Sequence, residues 1–372
     1  MLNTLKTKAG IVAIFTLALS WGPLAEATEN APASTATHNY SINYDDWQLF
    51  LSGAVLRAKP SVRPQNTSRR NKSTGTRLGG AKRQKAHDAN RIDFKALNQQ
   101  HLARLAIIQS ELAAVPAVLP LESFSDEERL AYWLNLRNIS IVIKLAQNYP
   151  VKKLNKLIEA DNGLFDSAAV TVAGRSMSIN DMTVHILNNW KDPLTIYGLF
   201  EGTVGSPSLR HKPYTGETVY QDLRYNARDF VNSQRGLKIF GKKARISEFY
   251  LAMQQVFPEL ESGLVDHIRE FARNETILDM DSAKSFAVNQ YDWTLTDIKK
   301  RMTYRGGRQK ADSNLLAIFA NGETSEADQG GVSDQTIAML QAAEMREKKR
   351  VQFATITVED YTGKVGGRVR GR

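Results

Sequence analysis

The spacing of apolar residues predicts helices along most of the chain. Between Phe94 and Pro116, apolar residues recur at intervals of three and four, which indicates an amphipathic helix that the proline ends. The strongest signal covers 125–150, where Ser125 and Glu128 have the spacing of a capping box and Pro150 ends the pattern. Further helices are predicted at 45–56, 178–187, 217–233, 246–257, 262–273 and 334–350.

Shorter stretches have the pattern of strands. Val170 and Val172 alternate ahead of Gly174, which predicts a hairpin over 169–179. Two further strand candidates are 197–200 and 285–294. We therefore expect an α+β fold, predominantly helical, with the 125–148 helix at its centre and a small antiparallel sheet built from these strands.

The helix over 125–148 places polar residues in two different settings. On a helical projection, one narrow stripe holds Arg137, Ser140, Lys144 and Gln147. Trp133 precedes Arg137 by four residues, which predicts a cation–π contact between them.

Asn135 and Asn138 fall instead among the apolar residues, so we expect both amides to be buried. A buried amide needs hydrogen-bond partners. In one interpretation, the two amides tie neighbouring loops to the helix through backbone groups. In the other, they form the polar floor of a ligand pocket that the 201–210 loop closes.

Four motifs in order resemble a known family. The stretch ERLAYWLNLRN resembles the A-F-W-x-N-x-Y-N helix of the domain of unknown function 547. TVAGRSMSINDM, DPLTIYGLFEGTVGSPSL and YDWTLTD resemble later segments of that family, so the resemblance spans roughly residues 90 to 297. The family carries no agreed activity, so the resemblance implies a domain rather than a reaction.

Several positions depart from the family pattern. The two cysteines of its C-x-x-x-x-C-P-x-L loop fall here on Glu201 and Ser206. Its Glu-His pair falls on Thr183 and Val184, and the Arg and His of its D-P-R-x-H segment fall on Leu194 and Ile196. Cysteine or histidine chemistry therefore cannot be carried onto these positions. The residues that do carry over are those of a structural framework: Trp133, Asn135, Asn138, Asp192, Pro193, Tyr291, Asp292 and Trp293.

Two residues in the 201–210 loop are the candidates for catalysis. Ser206 could act as a nucleophile if His185 or His211 lay within hydrogen-bond reach, and Glu201 could act as an acid. A serine in a Gly-Pro turn is ordinarily structural. The six histidines are scattered and the chain has no cysteine, so we predict neither a metal site nor a cofactor.

The beginning of the chain has the pattern of a secretory signal. Lys6 and Lys8 precede an apolar run over 9–24 that closes on Ala25-Glu26-Ala27. This pattern predicts a cleavable signal peptide over 1–27 and export to the periplasm or the medium. An uncleaved anchor is the alternative.

The positive charge of the chain is concentrated in one segment. Residues 57–91 hold eleven Lys or Arg against one acid, Asp88, and this difference of ten equals the net charge of +10 for the whole chain. We predict a flexible basic segment, which is either a solvated insertion or a contact for an anionic component of the envelope. Nucleic acid is the least favoured partner, because no aromatic side chain in the segment offers a stacking platform.

These patterns define the expected organisation and function. After the signal come an extension with one short helix over 28–56, the basic segment over 57–91, a globular domain over 92–300 and a polar tail over 301–372. We expect a non-enzymatic binding module for a small molecule or protein, with Trp133, Asn135, Arg137, Asn138, Asp192 and Ser206 at its ligand site. The alternative is a hydrolase or transferase that uses Ser206 or Glu201.

Overall fold

The longest helix in the described part of the chain is also largely buried. In the computed structural model it covers Asp126–Gln147, and Ser125 caps it by accepting a hydrogen bond from the Glu128 backbone N–H at 3.1 Å. In a capping box the Glu128 carboxylate would also accept a hydrogen bond from the Ser125 backbone N–H, but here it has other partners. The Glu128 carboxylate accepts instead from the backbone N–H groups of Ile42 at 3.1 Å and Gly216 at 2.8 Å. This helix start therefore ties two distant segments together.

The structure describes residues 39–59, 89–240, 242–257, 260–299, 303–322 and 356–359. The predicted signal peptide over 1–27, most of the basic segment and the predicted helix over 334–350 lie outside these ranges. The α-helices are α1 (Asp45–Ala54), α2 (Gln99–Val118), α3 (Asp126–Gln147), α4 (Leu154–Ile158), α5 (Ile179–Asn189), α6 (Val219–Val231), α7 (Glu248–Ala252), α8 (Leu260–Phe271), α9 (Asn274–Asp281) and α10 (Ser313–Asn321).

The strands form small separate sheets. They are β1 (Asn39–Ile42), β2 (Val55–Leu56), β3 (Arg91–Ile92), β4 (Ala168–Val172), β5 (Arg175–Ser178), β6 (Leu237–Phe240), β7 (Lys243–Ser247), β8 (Ser285–Asn289) and β9 (Ile356–Glu359). β1 pairs with β9, β2 with β3, and β4 with β5, all antiparallel. β7 lies between β6, which is antiparallel to it, and β8, which is parallel.

Helices supply the core, and α3 lies at its centre. Helices α2, α5 and α6 pack on α3, while α1 packs against α10 and α2. Buried apolar residues from all these helices join one cluster around the fully buried Leu130, Leu134 and Leu145 of α3. The predicted α+β class, dominated by helices, is confirmed.

The hairpin prediction is confirmed in detail. β4 and β5 are joined by Ala173 and Gly174, which have φ angles of 48° and 77°. Two successive positive φ angles match the twist of a two-residue hairpin turn, and a glycine at the second position tolerates them without strain.

The predicted strand over 197–200 is wrong, because residues Pro193–Gly198 form a 3₁₀ helix. The Asp192 carboxylate accepts a hydrogen bond from the Leu194 backbone N–H at 2.8 Å, and Pro193 occupies the first turn, where its missing N–H costs nothing. A cap and a proline at that position outweigh the apolar pattern. The predicted segments therefore do not combine into one sheet.

Smaller boundaries also differ from the prediction. Ile246 lies in β7, and the next helix begins only at Glu248, where Ser247 caps it. α2 continues past Pro116 to Val118, and the Leu119 N–H closes its end by donating to the Val115 carbonyl at 2.9 Å. Within the described ranges, no helix has both the length and the apolar character that crossing a membrane requires.

The N-terminal cap of α5 provides a stability test. The Ser178 hydroxyl accepts from the Asp181 backbone N–H at 3.0 Å, and the Asp181 carboxylate accepts from the Ser178 backbone N–H at 2.8 Å. Ser178→Ala removes one side of this box and should lower the free energy of unfolding by about 1 kcal/mol in urea titrations. Ser176→Ala, on the exposed side of β5, is the control and should change it by less than about 0.5 kcal/mol. Equal effects would contradict the role of the cap.

Candidate functional site

Three polar side chains of α3 point into the protein towards the irregular segment 193–214. Asn135, Arg137 and Asn138 are 1%, 1% and 2% exposed. Asn135 and Asn138 are three residues apart and therefore lie on one face of the helix, whereas Arg137 projects from another side. Each therefore needs a partner inside the protein.

The amide of Asn135 pairs with the backbone of Tyr214. Its nitrogen donates to the Tyr214 carbonyl at 2.7 Å, and its oxygen accepts from the Tyr214 N–H at 3.1 Å. The Asn138 nitrogen donates to the Gly198 carbonyl at 3.2 Å. Asn226, from α6, donates to the carbonyls of Tyr197 at 3.1 Å and Ser208 at 3.3 Å. These contacts correspond to the first interpretation of the asparagines, in which the amides hold loops.

Arg137 fastens the same segment from its other side. Its guanidinium donates to Thr183 Oγ1 of α5 and to the Phe200 carbonyl, both at 2.7 Å. Burial lowers the pKa of Arg137 to about 10, against an opposing attraction from Glu201. The predicted contact between Arg137 and Trp133 is wrong, because Trp133 packs on His185 of α5 with ring centroids 4.3 Å apart. α5 covers the face that the sequence pattern assigns to solvent.

Beyond Phe200, four polar side chains form a cluster: Glu201, Thr203, Ser206 and Tyr291. The Tyr291 hydroxyl donates to the Glu201 carboxylate and lies 2.5 Å from Thr203 Oγ1. Ser206 Oγ accepts from the Glu201 backbone N–H at 3.1 Å and donates to the Thr203 carbonyl at 3.0 Å. Burial raises the pKa of Glu201, while Tyr291 and then Arg137 counteract that rise.

Ser206 lacks the surroundings of a nucleophile in the described part of the chain. Its side chain is fully buried, and the oxygens of Thr203 and Pro207 that its hydroxyl faces are backbone carbonyls. Neither His185 nor His211 makes a hydrogen bond to it within those ranges. Asp192 acts as the cap of the 3₁₀ helix described above. The residues predicted for one ligand site thus lie at separate positions; all but Asp192 are buried.

An open groove lies on the far side of Tyr291. Its walls are residues 149–155 and 290–299, and its volume is about 820 Å³. Tyr291 and Trp293 line it as an edge-to-face pair with ring centroids 4.7 Å apart. Polar side chains surround the pair: Lys152, Lys153, Asn155, Gln290, Asp292, Thr294, Asp297 and Lys299.

Backbone hydrogen bonds hold this aromatic pair in position. The N–H groups of Val204 and Gly205 donate to the carbonyls of Thr294 at 2.8 Å and Asp292 at 2.9 Å. Gly205 is required for this approach, since a Cβ at this position would lie 2.9 Å from the Asp292 nitrogen. The motif YDW, predicted to be framework, therefore also forms the wall of the groove. An aromatic pair beside alternating polar residues is the sequence signal that could have identified it.

Comparison with known proteins finds one family model that matches part of this chain. Residues 121–231 match the model of the family described as "Protein of unknown function, DUF547", which confirms the predicted resemblance over that range. The match includes α3, α5, the 193–214 segment and α6, and it ends before Tyr291. No curated protein and no solved structure matches the chain.

Removing the amide of Asn135 tests its structural role. Asn135→Ala leaves the buried N–H and C=O of Tyr214 without partners and should lower the free energy of unfolding by about 2–3 kcal/mol in urea titrations. Asn180→Ala, which removes an exposed bond to Asp166, is the control and should change it by less than about 0.5 kcal/mol. A loss of that small size for Asn135→Ala would contradict the assignment.

The carboxyl group of Glu201 should make stability depend on pH. Because its pKa is raised on folding, the folded state binds more protons than the unfolded state between the ordinary carboxyl pKa and the raised value. The stabilisation is present at low pH and is lost as the pH rises through that interval. Relative to Glu201→Gln, the wild type should therefore gain stability as the pH falls from about 7 to about 4.

Urea midpoints at a series of pH values measure this difference. Glu217→Gln, at an exposed residue, provides the background from a carboxyl outside the cluster. A wild type that loses stability relative to Glu201→Gln on acidification would contradict a raised pKa for the Glu201 carboxyl.

Proposed function

We propose that this chain is an exported, non-enzymatic binding module of the cell envelope, and that its ligand is a glycan held in the groove between residues 149–155 and 290–299. The observation that carries the proposal is the fixed Tyr291–Trp293 pair on the groove wall. The match to a family without an assigned activity leaves the ligand to be argued from the groove alone.

The composition of the groove suits a hydroxyl-rich ligand with an apolar face. Trp and Tyr offer flat apolar surface together with a polar edge. The C–H face of a sugar ring can pack on such a surface while its hydroxyl groups meet the amide, carboxylate and ammonium groups of Asn155, Asp292 and Lys153. A wide, open groove admits a chain of sugars more readily than it encloses a small molecule.

The groove wall is also organised before any ligand arrives. The Tyr291 hydroxyl is bound inside the protein by Glu201, and the neighbouring backbone is paired with the 202–205 loop. The ligand therefore does not have to order these side chains, which reduces the entropic cost of binding. Binding on an open surface of this kind can be specific without being enclosed.

The alternative function, a hydrolase or transferase using Ser206 or Glu201, has less support. A general acid must reach the proton that it transfers. Neither residue is among those that line the groove, and Glu201 lies behind the Tyr291 ring. The contacts of Glu201 and Ser206 favour a role in holding the groove wall.

Export rests on the sequence of the first 27 residues. Two lysines, an apolar run and an A-x-A cleavage site follow one another there, in the order that is typical of a signal peptide. Detection of the mature N-terminus by mass spectrometry of the envelope fraction would test this part of the proposal independently of the ligand.

Binding to defined oligosaccharides tests the ligand class. We expect calorimetric titration to detect binding to at least one of cellohexaose, chitohexaose and maltohexaose, and Trp293→Ala to weaken it by about tenfold or more. Tyr225→Ala is the control, because Tyr225 is an exposed aromatic residue on α6 away from the groove. Absence of binding to all three sugars, or equal binding by Trp293→Ala, would contradict the proposal.

A further inference from the structure

A second surface feature is a group of cations around His211, outside the groove. Arg57, Arg210, Lys212 and Arg305 all act electrostatically on the imidazole of His211. We refer to these five residues as the His211 cluster. They come from three separate parts of the chain.

Hydrogen bonds of the fold bring these parts together. The Arg305 backbone N–H donates to the Arg57 carbonyl at 2.9 Å, and its guanidinium Nε donates to the Ala58 carbonyl at 2.8 Å. The Gln48 amide of α1 donates to the His211 carbonyl at 3.3 Å. The Asn90 amide joins the two parts, since its oxygen accepts from the Ala58 N–H and its nitrogen donates to the Leu209 carbonyl, both at 2.9 Å. The fold therefore fixes the backbone positions of the cluster.

The positive charge of the cluster is only partly balanced. Asp222 forms an ion pair with Arg210 and also attracts Lys212. Across the residues that the structure describes, Arg57, Lys212 and Arg305 have no ion pair. Burial and then the four cations lower the pKa of His211 to about 3, so its ring is neutral at physiological pH. With the single carboxylate of Asp222 set against four cations, the cluster keeps a net positive charge.

The sequence continues this charge from the same point of the fold. Arg57 begins the basic segment, whose residues 60–88 add eight more cations and one acid, Asp88. The cations of residues 60–88 are Arg63, Arg69, Arg70, Lys72, Arg77, Lys82, Arg83 and Lys85. Such a number of like charges in a short stretch is suited to a partner that presents many anions side by side, rather than to one small anion.

We propose that the His211 cluster docks the protein on an anionic membrane surface by contacting the phosphate groups of lipid headgroups. Clusters of four to eight Lys or Arg are the pattern that anionic bilayers attract. Single-stranded nucleic acid is disfavoured, since residues 57–91 contain no Phe, Trp or Tyr on which bases could stack. The contact is electrostatic and involves neither a membrane-spanning helix nor a covalent lipid.

Sedimentation with lipid vesicles tests the proposal on the full chain, with the same N-terminus in every variant. We expect binding to phosphatidylcholine vesicles that contain about a quarter phosphatidylglycerol, and weaker binding to pure phosphatidylcholine. The variant Arg57→Gln/Lys212→Gln/Arg305→Gln should bind the anionic vesicles more weakly than the wild type, by about tenfold or more. Raising NaCl from about 50 mM to about 500 mM should remove most of the difference.

A matched variant distinguishes binding at the His211 cluster from a general effect of the net charge of the protein. Arg175→Gln/Lys191→Gln/Arg245→Gln removes the same three charges from exposed positions outside the cluster. It should bind nearly as the wild type does. An equal loss in both variants, or no loss in the first, would overturn the proposal. Circular dichroism melting curves should show that both variants are folded.

Titration with inorganic phosphate distinguishes a membrane surface from a small-anion pocket. We expect little binding of free phosphate by the wild type under conditions where vesicles bind. If free phosphate bound as tightly as the vesicles do, and if the first variant lost that binding, the proposal that the cluster contacts a membrane surface would be overturned.

Discussion

The fold depends on satisfying the backbone of an irregular segment that runs through the interior. Residues 193–214 have few regular backbone hydrogen bonds of their own, yet most of their residues are buried. An interior loop is costly because each unpaired N–H or carbonyl loses its bond to water. Side chains supply the missing partners. Asn135 and Asn226 do so from α3 and α6, and Arg235 donates to the Ser206 carbonyl at 2.6 Å.

This requirement accounts for polar residues in the middle of an apolar helix. Replacing the asparagines with apolar residues would leave backbone groups of the loop without hydrogen-bond partners, because an apolar side chain cannot supply the lost bonds. The same reasoning covers the polar side chains of Glu201 and Ser206. Glu201 and Ser206 lie in the middle of the buried segment, and the hydrogen bond from Tyr291 to Glu201 joins it to the groove wall.

The sequence predicts those parts of the fold that depend on local signals. The start of α3, the cap of α5 and the hairpin around Gly174 follow from residues within four positions of one another. The sequence does not predict the contacts between distant segments. The burial of Arg137 depends on α5 covering it, and the pairing of Gly205 with Asp292 joins residues far apart in the chain. The helical pattern predicts that both asparagines are buried, but only the structure identifies Tyr214 and Gly198 as their hydrogen-bond partners.

The pairing of the first and last described strands determines how the domain would respond to force. Asn39 lies opposite Glu359, and Ile42 lies opposite Ile356, so the chain enters and leaves at the same end of this antiparallel pair. Tension applied between the residues before Asn39 and those after Glu359 would load the hydrogen bonds of the pair one after another. This is the geometry of unzipping, in which the bonds break singly, rather than of shear, in which they resist together. The α3 core, which lies inside this pair in the chain, would bear the load only after the two strands had separated.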